Sequence, residues 1–377
     1  MIYSEYCRCC GEESDLRVFC TLPPTPVANA LFIEPNFEKF DLTLCACNSC
    51  GHFQLAQAPD PAAVFKSYKY KSGVSQFFRN HFENYAKSVA TLAENKHVLE
   101  IGSNDGFLLS CFLDLGFNVV GFEPSAEISR EFIGQKGTVI NDFFDERSVS
   151  KHALTNHFGV VCANNVLAHI PDIEHVFSTV STVLVDGGYL VAECGDQQGI
   201  VSGDFIDNVY HEHIDYYSPY SFSVLARRYG LNPVSVEYVP THGKSFRIVC
   251  KKNGETAGPQ LADYRRQWDR ETLDLALSRR RTRVNQELGS DRFVCYGAAA
   301  KAVTGFYLLE LNPDQVNMFV DDNELKQGYY FPGTDLKICH SDEIQKNDTV
   351  LVTAWNVFDD IVEKLRNKGH RGKVVCM

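Results

Sequence analysis

His97–Gly116 reads HVLEIGSNDGFLLSCFLDLG: a short apolar run, a turn holding Gly102 and Gly106, and then an amphipathic helical pattern. Strand, glycine turn and helix in that order open a parallel α/β sheet, because a crossover helix must return the chain to the same sheet edge. The chain continues in the same rhythm. NVVGFEPS gives a second strand ending in Glu123, GTVINDFFD a third, FGVVCANNVLAHIPD a fourth and GGYLVAECGD a fifth. NPVSVEYVP and KSFRIVCKK leave little room for a helix between them and predict a terminal antiparallel hairpin. The fold class is therefore α/β, with a doubly wound sheet at its centre.

On either side the pattern changes. A charged helical stretch from Gln260 to Leu288 leads into RFVCYGAAAKAVTGFYLLEL, a second strand–glycine–helix start, and VNMFVDDN and TVLVTAWN supply further strands. Seven of the fourteen cysteines fall in the first fifty residues. Cys7/Cys10 and Cys47/Cys50 are Cys-x-x-Cys pairs, each followed by glycine, so the backbone can turn its amides toward thiolate sulfur. Four thiolates complete the tetrahedral shell of a structural Zn²⁺. Cys9 and Cys45 stand beside the pairs as alternative ligands, and reduced core thiols are the plainer explanation. The chain divides into a zinc-binding domain (1–70), a central α/β domain (71–255) and a smaller α/β domain (256–377).

At 377 residues the chain is too long for one core, in keeping with that division. Hydrophobic content of 44% with 22% charged residues reads as soluble and globular. No apolar run approaches a membrane span, and the acidic N-terminus lacks the order of a secretory signal. A formal charge of −12 without a basic stretch argues against nucleic acid. The scattered single cysteines suit reduced thiols in a cytoplasmic protein.

The turn Glu100-Ile-Gly102-Ser-Asn104-Asp105-Gly106 lacks the Gly-x-Gly-x-x-Gly spacing of a dinucleotide site. It resembles motif I of class I S-adenosylmethionine (SAM) methyltransferases. Glu123 is placed to accept hydrogen bonds from two ribose hydroxyls, and Asn104 and Asp105 to meet the amino acid end or the sulfonium. A plain tight turn with a strand-end carboxylate is the alternative.

Further motifs extend the likeness along nearly the whole chain. TPVANALF, CNSCGHFQL, YKYKSGVSQFFRNHF, LEIGSNDGFLL, GFEPS, NNVLAHIPD, HEHIDYYS, HGKSFRI, YGAAAK and AWN occur in this order. In this the sequence resembles the C-methyltransferases of nucleotide-linked deoxysugars. The resemblance implies a class I SAM methyltransferase Rossmann-like sheet flanked by an N-terminal zinc-binding module and a C-terminal Rossmann-like domain. It implies cofactor contacts at Gly102, Asn104, Asp105, Glu123, Pro124 and Asn164. The substrate it implies is a nucleoside diphosphate-linked 4-keto-6-deoxysugar, dTDP the expected nucleotide and C3 the expected carbon, acted on by a monomer.

Carbon methylation explains the density of titratable groups in NVYHEHIDYYS, Asn208–Ser218. A sugar C–H beside a ketone can be deprotonated, so the enzyme needs a base, donors for the enolate oxygen and close alignment. His213 matches the family's catalytic histidine, and Glu212, Tyr210, His169 and Tyr70 match residues lining its sugar site. His211-x-His213-x-Asp215 also imitates metal-ligand spacing, since alternate residues of an extended segment share a face. Lys301, at the start of its helix, can meet a pyrophosphate, and His242 and Gly243 can border the cleft. O-methylation, or a zinc-containing binding protein without chemistry, are the competing functions.

Overall fold

The computed structural model describes residues 2–3, 5–13, 15–58, 76–92, 94–132, 137–241, 244–255, 258–262 and 268–377. Tyr70, His242 and Gly243 lie outside them.

The N-terminal part begins with β1 (Ile2–Tyr3). It continues with β2 (Leu16–Thr25), β3 (Phe40–Cys47), β4 (Phe53–Leu55) and β5 (Gln57–Ala58). β1 pairs with β5, while β2, β3 and β4 form an antiparallel sheet.

The central sheet takes its strands from β6 (His97–Ile101), β7 (Asn118–Phe122), β8 (Thr138–Ile140), β9 (Phe158–Asn164) and β10 (Leu184–Gly195). The next strand in the chain, β11 (Asp215–Tyr216), leaves this sheet and pairs with β4 as the fourth strand of the N-terminal one. β12 (Leu231–Val239) and β13 (Ser245–Lys252) complete the central sheet as the expected antiparallel hairpin, in the order β12-β13-β10-β9-β6-β7-β8. β8, β7, β6, β9 and β10 run parallel, and β13 is antiparallel to β10. β9 is buried from Phe158 to Ala163, as a strand covered on both faces must be. The order reverses between β6 and β9, which opens a crevice at their carboxyl ends.

A five-stranded all-parallel sheet follows. Its strands are β14 (Phe293–Tyr296), β15 (Val316–Val320), β16 (Ile338–Cys339), β17 (Thr349–Val352) and β18 (Val374–Cys376). The order is β16-β15-β14-β17-β18, with its own reversal beside β14. The charged stretch before it is helical over Arg270–Leu288, ten residues later than Gln260, where Asp269 caps it by accepting from the Glu271 N–H.

Separate apolar clusters fill the faces of both large sheets. The cluster on one face of the central sheet also takes in Cys7, Cys9, Cys47 and Cys50, so the cysteine-rich module packs against the same core. From the other side, Tyr330 N–H donates to the Phe32 carbonyl and Gly333 N–H to the Asn36 carbonyl, tying the N-terminal segment to the C-terminal sheet. Among the described residues no helix is long and apolar enough to cross a membrane.

Candidate active site

A cleft of about 1800 Å³ runs from the β6/β9 crevice, past residues 208–217, to the loops after β14, β15 and β17. At its first end lies the glycine turn. Gly102 and Gly106 have φ of 68° and 76°, in the left-handed region. A Cβ on Gly102 would stand 2.8 Å from Val166 Cγ2, and one on Gly106 2.4 Å from the Phe132 ring, so space and conformation both require glycine. Asn104, at φ 51°, is a residue type that tolerates this region.

Glu123 is buried at the end of β7. Its Oε1 accepts from Ser125 N–H at 2.8 Å and its Oε2 from Asn104 N–H at 3.0 Å, so one carboxylate sets both the turn and the following loop. Burial pushes this carboxyl up, and the two backbone donors pull it partly back. Glu100 is pushed up further, by burial and then by Asp105 and Glu123. Asn164 lines the same end of the cleft, and neither its Nδ2 nor its Oδ1 has a hydrogen-bond partner among the described residues. Pro124 lines it too. Buried polar atoms without partners, around a cradle that admits no Cβ, suit a polar ligand such as an adenosyl group.

The middle of the cleft is built by two short segments, 167–171 and 208–216. Ile214 N–H donates to the Ala168 carbonyl at 2.7 Å and His169 Nδ1–H to the Glu212 carbonyl at 2.7 Å, which lace them together. The His169 and His213 rings lie 4.5 Å apart. Because a carbonyl only accepts, His169 carries its proton on Nδ1 and keeps the Nε2 lone pair; burial lowers its pKa to about 4. His213 is fixed in the same tautomer by the Asn208 carbonyl, 3.0 Å from Nδ1. The Tyr210 hydroxyl therefore donates to His213 Nε2, at 2.6 Å, with the two rings stacked at 4.0 Å.

His211 and Glu212 are not among the residues that line the cleft, whereas Asp215 is. The chain makes a turn at residues 210–213, where His213 N–H donates to the Tyr210 carbonyl, so the extended geometry expected of His211-x-His213-x-Asp215 is absent and these side chains do not share a face. His211 is buried and donates from Nε2 to the Asp41 carbonyl. Glu212 accepts from the backbone N–H groups of Ala28 and Asn29, and burial raises its pKa. Asp215 meets Arg8 and His52; burial alone would raise it, and the Arg8 charge with the His52 hydrogen bond brings it below the ordinary carboxylate value.

Beyond the segment, the cleft is closed by Ala298 to Lys301, Asp321 to Lys326 and Asn356. Lys301 packs its ammonium over the Trp355 ring at 4.8 Å, and burial lowers its pKa.

The cysteine pairs come together as their spacing suggests. The Sγ atoms of Cys7, Cys10, Cys47 and Cys50 all lie within 4.8 Å of one another, with Cys7–Cys50 at 3.5 Å and Cys10–Cys47 at 3.6 Å. A tetrahedral ion bound through sulfur at about 2.3 Å needs edges of about 3.8 Å, so the donor set fits. Gly11 and Gly51, at φ 81° and 77°, donate their N–H to the Cys7 and Cys47 carbonyls rather than to sulfur. Cys9 and Cys45 are buried outside this group.

Sequence reasoning missed Arg8, Gln54 and His52, whose partners lie up to 207 residues away. Only the position of Arg8 between two cysteines, and of His52 just past a Cys-x-x-Cys-Gly, could have drawn attention to them.

Comparison with known proteins finds similar sequences along most of the chain. Residues 75–236 match the model of a methyltransferase domain, and residues 284–377 that of a C-methyltransferase C-terminal domain. The C-methyltransferase NovU of Streptomyces niveus is 25% identical over 387 residues, covering 95% of this chain and 91% of that protein. A ubiquinone biosynthesis O-methyltransferase of Bradyrhizobium sp. (strain ORS 278) is 30% identical over 112 residues, 29% of this chain and 44% of its own length. Among solved structures, the 1,6-didemethyltoxoflavin-N1-methyltransferase of Burkholderia thailandensis with bound S-adenosylhomocysteine covers 46% of this chain and 77% of its own, at 16% identity and a TM-score of 0.38. The two domain models in tandem, together with a C-methyltransferase similar over almost the whole length, identify this chain as a SAM-dependent C-methyltransferase.

Proposed function

We propose that the methyl acceptor is a carbon, C3, of a nucleoside diphosphate-linked 4-keto-6-deoxysugar, with dTDP as the nucleotide. The observation that carries this reading is the cleft. Its volume of about 1800 Å³ exceeds the roughly 300–1,000 Å³ of a pocket for one small ligand. It therefore has room for SAM at the Glu123 end and a second ligand of nucleotide-sugar size, with two imidazoles between them.

SAM, when bound, supplies an electrophilic methyl on a sulfonium. The residues of the chain do the rest. Glu123 and the Gly102–Gly106 turn hold the adenosyl ribose, with Asn104, Asp105, Pro124 and Asn164 around it. His213 takes the proton from the carbon beside the ketone onto Nε2 once the Tyr210 hydroxyl yields that lone pair. The electron pair left on that carbon forms the new C–C bond to the methyl as the methyl–sulfur bond breaks, its electrons going to sulfur. Two imidazoles 4.5 Å apart do not both accept charge readily, and burial keeps His169 neutral. The proton accordingly rests on His213, while His169 offers its Nε2 lone pair to a sugar hydroxyl. Until that transfer the Tyr210 hydroxyl, donating to Nε2, holds the His213 ring in place, and Glu212 orients His169 through its carbonyl. Tyr70 is carried over from the resemblance alone.

The Lys301 ammonium, at the amino end of the helix Ala300–Leu308, suits the pyrophosphate. The four-sulfur group holds a structural Zn²⁺, and the chain works as a monomer of three units, 1–70, 71–255 and 256–377. The test is incubation with SAM and a panel of nucleotide-linked keto-sugars, followed by product mass and carbon NMR. A methyl on C3 is expected. A methyl on oxygen, or no turnover with any keto-sugar, would overturn the reading.

A further inference from the structure

Arg8 sits between Cys7 and Cys9 in the cysteine-rich module, yet its side chain reaches the middle of the methyltransferase cleft wall. It is almost fully buried, at 8% exposure. Nε donates to Asp215 Oδ1 at 2.8 Å and Nη2 to Asp215 Oδ2 at 2.9 Å, a bidentate ion pair. The outer face of the same guanidinium donates from Nη2 to the Ile170 carbonyl at 2.6 Å and from Nη1 to the Pro171 carbonyl at 2.5 Å. One planar group thus bridges the two segments that carry the imidazoles. Asp215 is two residues from His213, and Ile170 follows His169 directly.

The clamp is itself held. His52 Nε2 lies 2.9 Å from Asp215 Oδ1 and the Tyr217 hydroxyl donates to Oδ2 at 3.2 Å. Gln54 Oε1 accepts from the Arg8 N–H at 2.9 Å. Cys7 and Cys10 anchor the chain on either side within the four-sulfur group.

Resting on the assignment of His213 and His169 given above, we propose that Arg8 is a positioning residue for the methyl-transfer reaction. It sets the separation and tilt of the two imidazoles, and so makes the cysteine-rich module part of the catalytic apparatus rather than a detached stabiliser. Lysine has the charge but not the planar fork, so it cannot grip a carboxylate bidentately and two carbonyls at once.

The test compares Arg8→Lys with the wild-type holoprotein by three measurements. In Arg8→Lys, SAM affinity and zinc content should stay within about twofold of wild type while kcat falls about 10- to 100-fold with little change in KM, the size expected of a misplacement near 1 Å. The histidine Cε1 NMR signals of His169 and His213, identified from His169→Asn and His213→Asn, should shift. Apart from His52, which shares Asp215, the other histidine signals should hold. Where Arg8→Lys fails to bind SAM, Asp215→Asn, which keeps the side-chain shape but weakens the grip, is measured in the same way and should give the same pattern. Lower thermal stability with unchanged kcat and unmoved His169 and His213 signals would overturn the proposal. A wild type inactive on keto-sugars, whose imidazole signals still move with Arg8, would sink the substrate reading and leave the positioning role standing.

Discussion

Glu123→Ala probes the cofactor site through one carboxylate with two duties. Each carboxylate oxygen has about two lone-pair sites. One site on each is taken by a backbone donor, Ser125 N–H on Oε1 and Asn104 N–H on Oε2. That leaves one site per oxygen for the two ribose hydroxyls of SAM. A hydrogen bond to a charged group contributes about 1.5–3 kcal/mol, and two made by one carboxylate do not add fully. The expected loss is thus of the order of one such bond, or about a ten- to hundredfold rise in the SAM dissociation constant at 1.4 kcal/mol per decade. Calorimetric titration with SAM, alongside circular dichroism for the fold, measures it. Glu123→Gln should lose nearly as much, because its amide nitrogen would face a backbone N–H that needs an acceptor. Only the ionised form accepts from both hydroxyls, and burial holds this carboxyl above its usual value. Wild-type affinity should therefore weaken as pH falls through that raised value, and the alanine variant should lack this dependence. Unchanged affinity in a folded Glu123→Ala protein would mean that the cofactor lies elsewhere.

His213→Asn should keep SAM binding and cut turnover by about 10²–10⁴-fold, the range for a positioned acid–base group. It should also abolish any substrate C–H exchange seen in deuterated water with S-adenosylhomocysteine. Tyr210→Phe should cost about tenfold or less in kcat if the hydroxyl only aims His213, and a loss equal to that of His213→Asn would place the hydroxyl on the proton path. Cys47→Ser should lower zinc content, expected at about one ion per chain by elemental analysis, and lower stability; a metal-free protein that is folded and fully active would rule out the site. His169 titrates near 6.5 unfolded and about 4 folded, so the unfolded chain binds more protons in between. Stability should be fully present above pH 6.5 and fall as pH drops toward 4, by roughly 3 kcal/mol at most. His169→Asn should flatten that part of a denaturation-against-pH series, and an unchanged slope would show that burial does not keep His169 neutral.

The features legible in the sequence are those with short-range causes. Continuous apolar runs between helical stretches give the parallel strands, because burial on both faces leaves no polar alternation. Gly102 and Gly106 mark the turn because a side chain fits there neither by conformation nor by space. The Cys-x-x-Cys-Gly pairs announce the sulfur cluster because each knuckle is a local turn. What stayed hidden depends on contacts between distant residues. The two residues of β11 are too few to carry a strand pattern, and their partner β4 lies some 160 positions earlier. The turn at residues 210–213 decides which imidazole faces the cleft, and it too leaves no periodic signal.

Local sequence is also silent on how residues 207–215 are held. This stretch has a buried aspartate at each end, and each is matched from a different unit. Asp215 is gripped by Arg8 and His52 of the N-terminal module. Asp207 accepts from Trp355 Nε1 at 2.5 Å on Oδ2, and Arg280 stands 3.6 Å from its Oδ1, both from the C-terminal part of the chain. A buried carboxylate deprived of its partner is strongly destabilising, on the order of 3–5 kcal/mol, so neither end can readily let go. Between these anchors the Asn208 carbonyl fixes the tautomer of His213 and the Glu212 carbonyl that of His169. The central sheet alone positions the glycine turn and Glu123, but it does not position the imidazoles. Their geometry is a property of all three parts of the chain, which gives a physical reason for a methyltransferase domain to carry a module on each side.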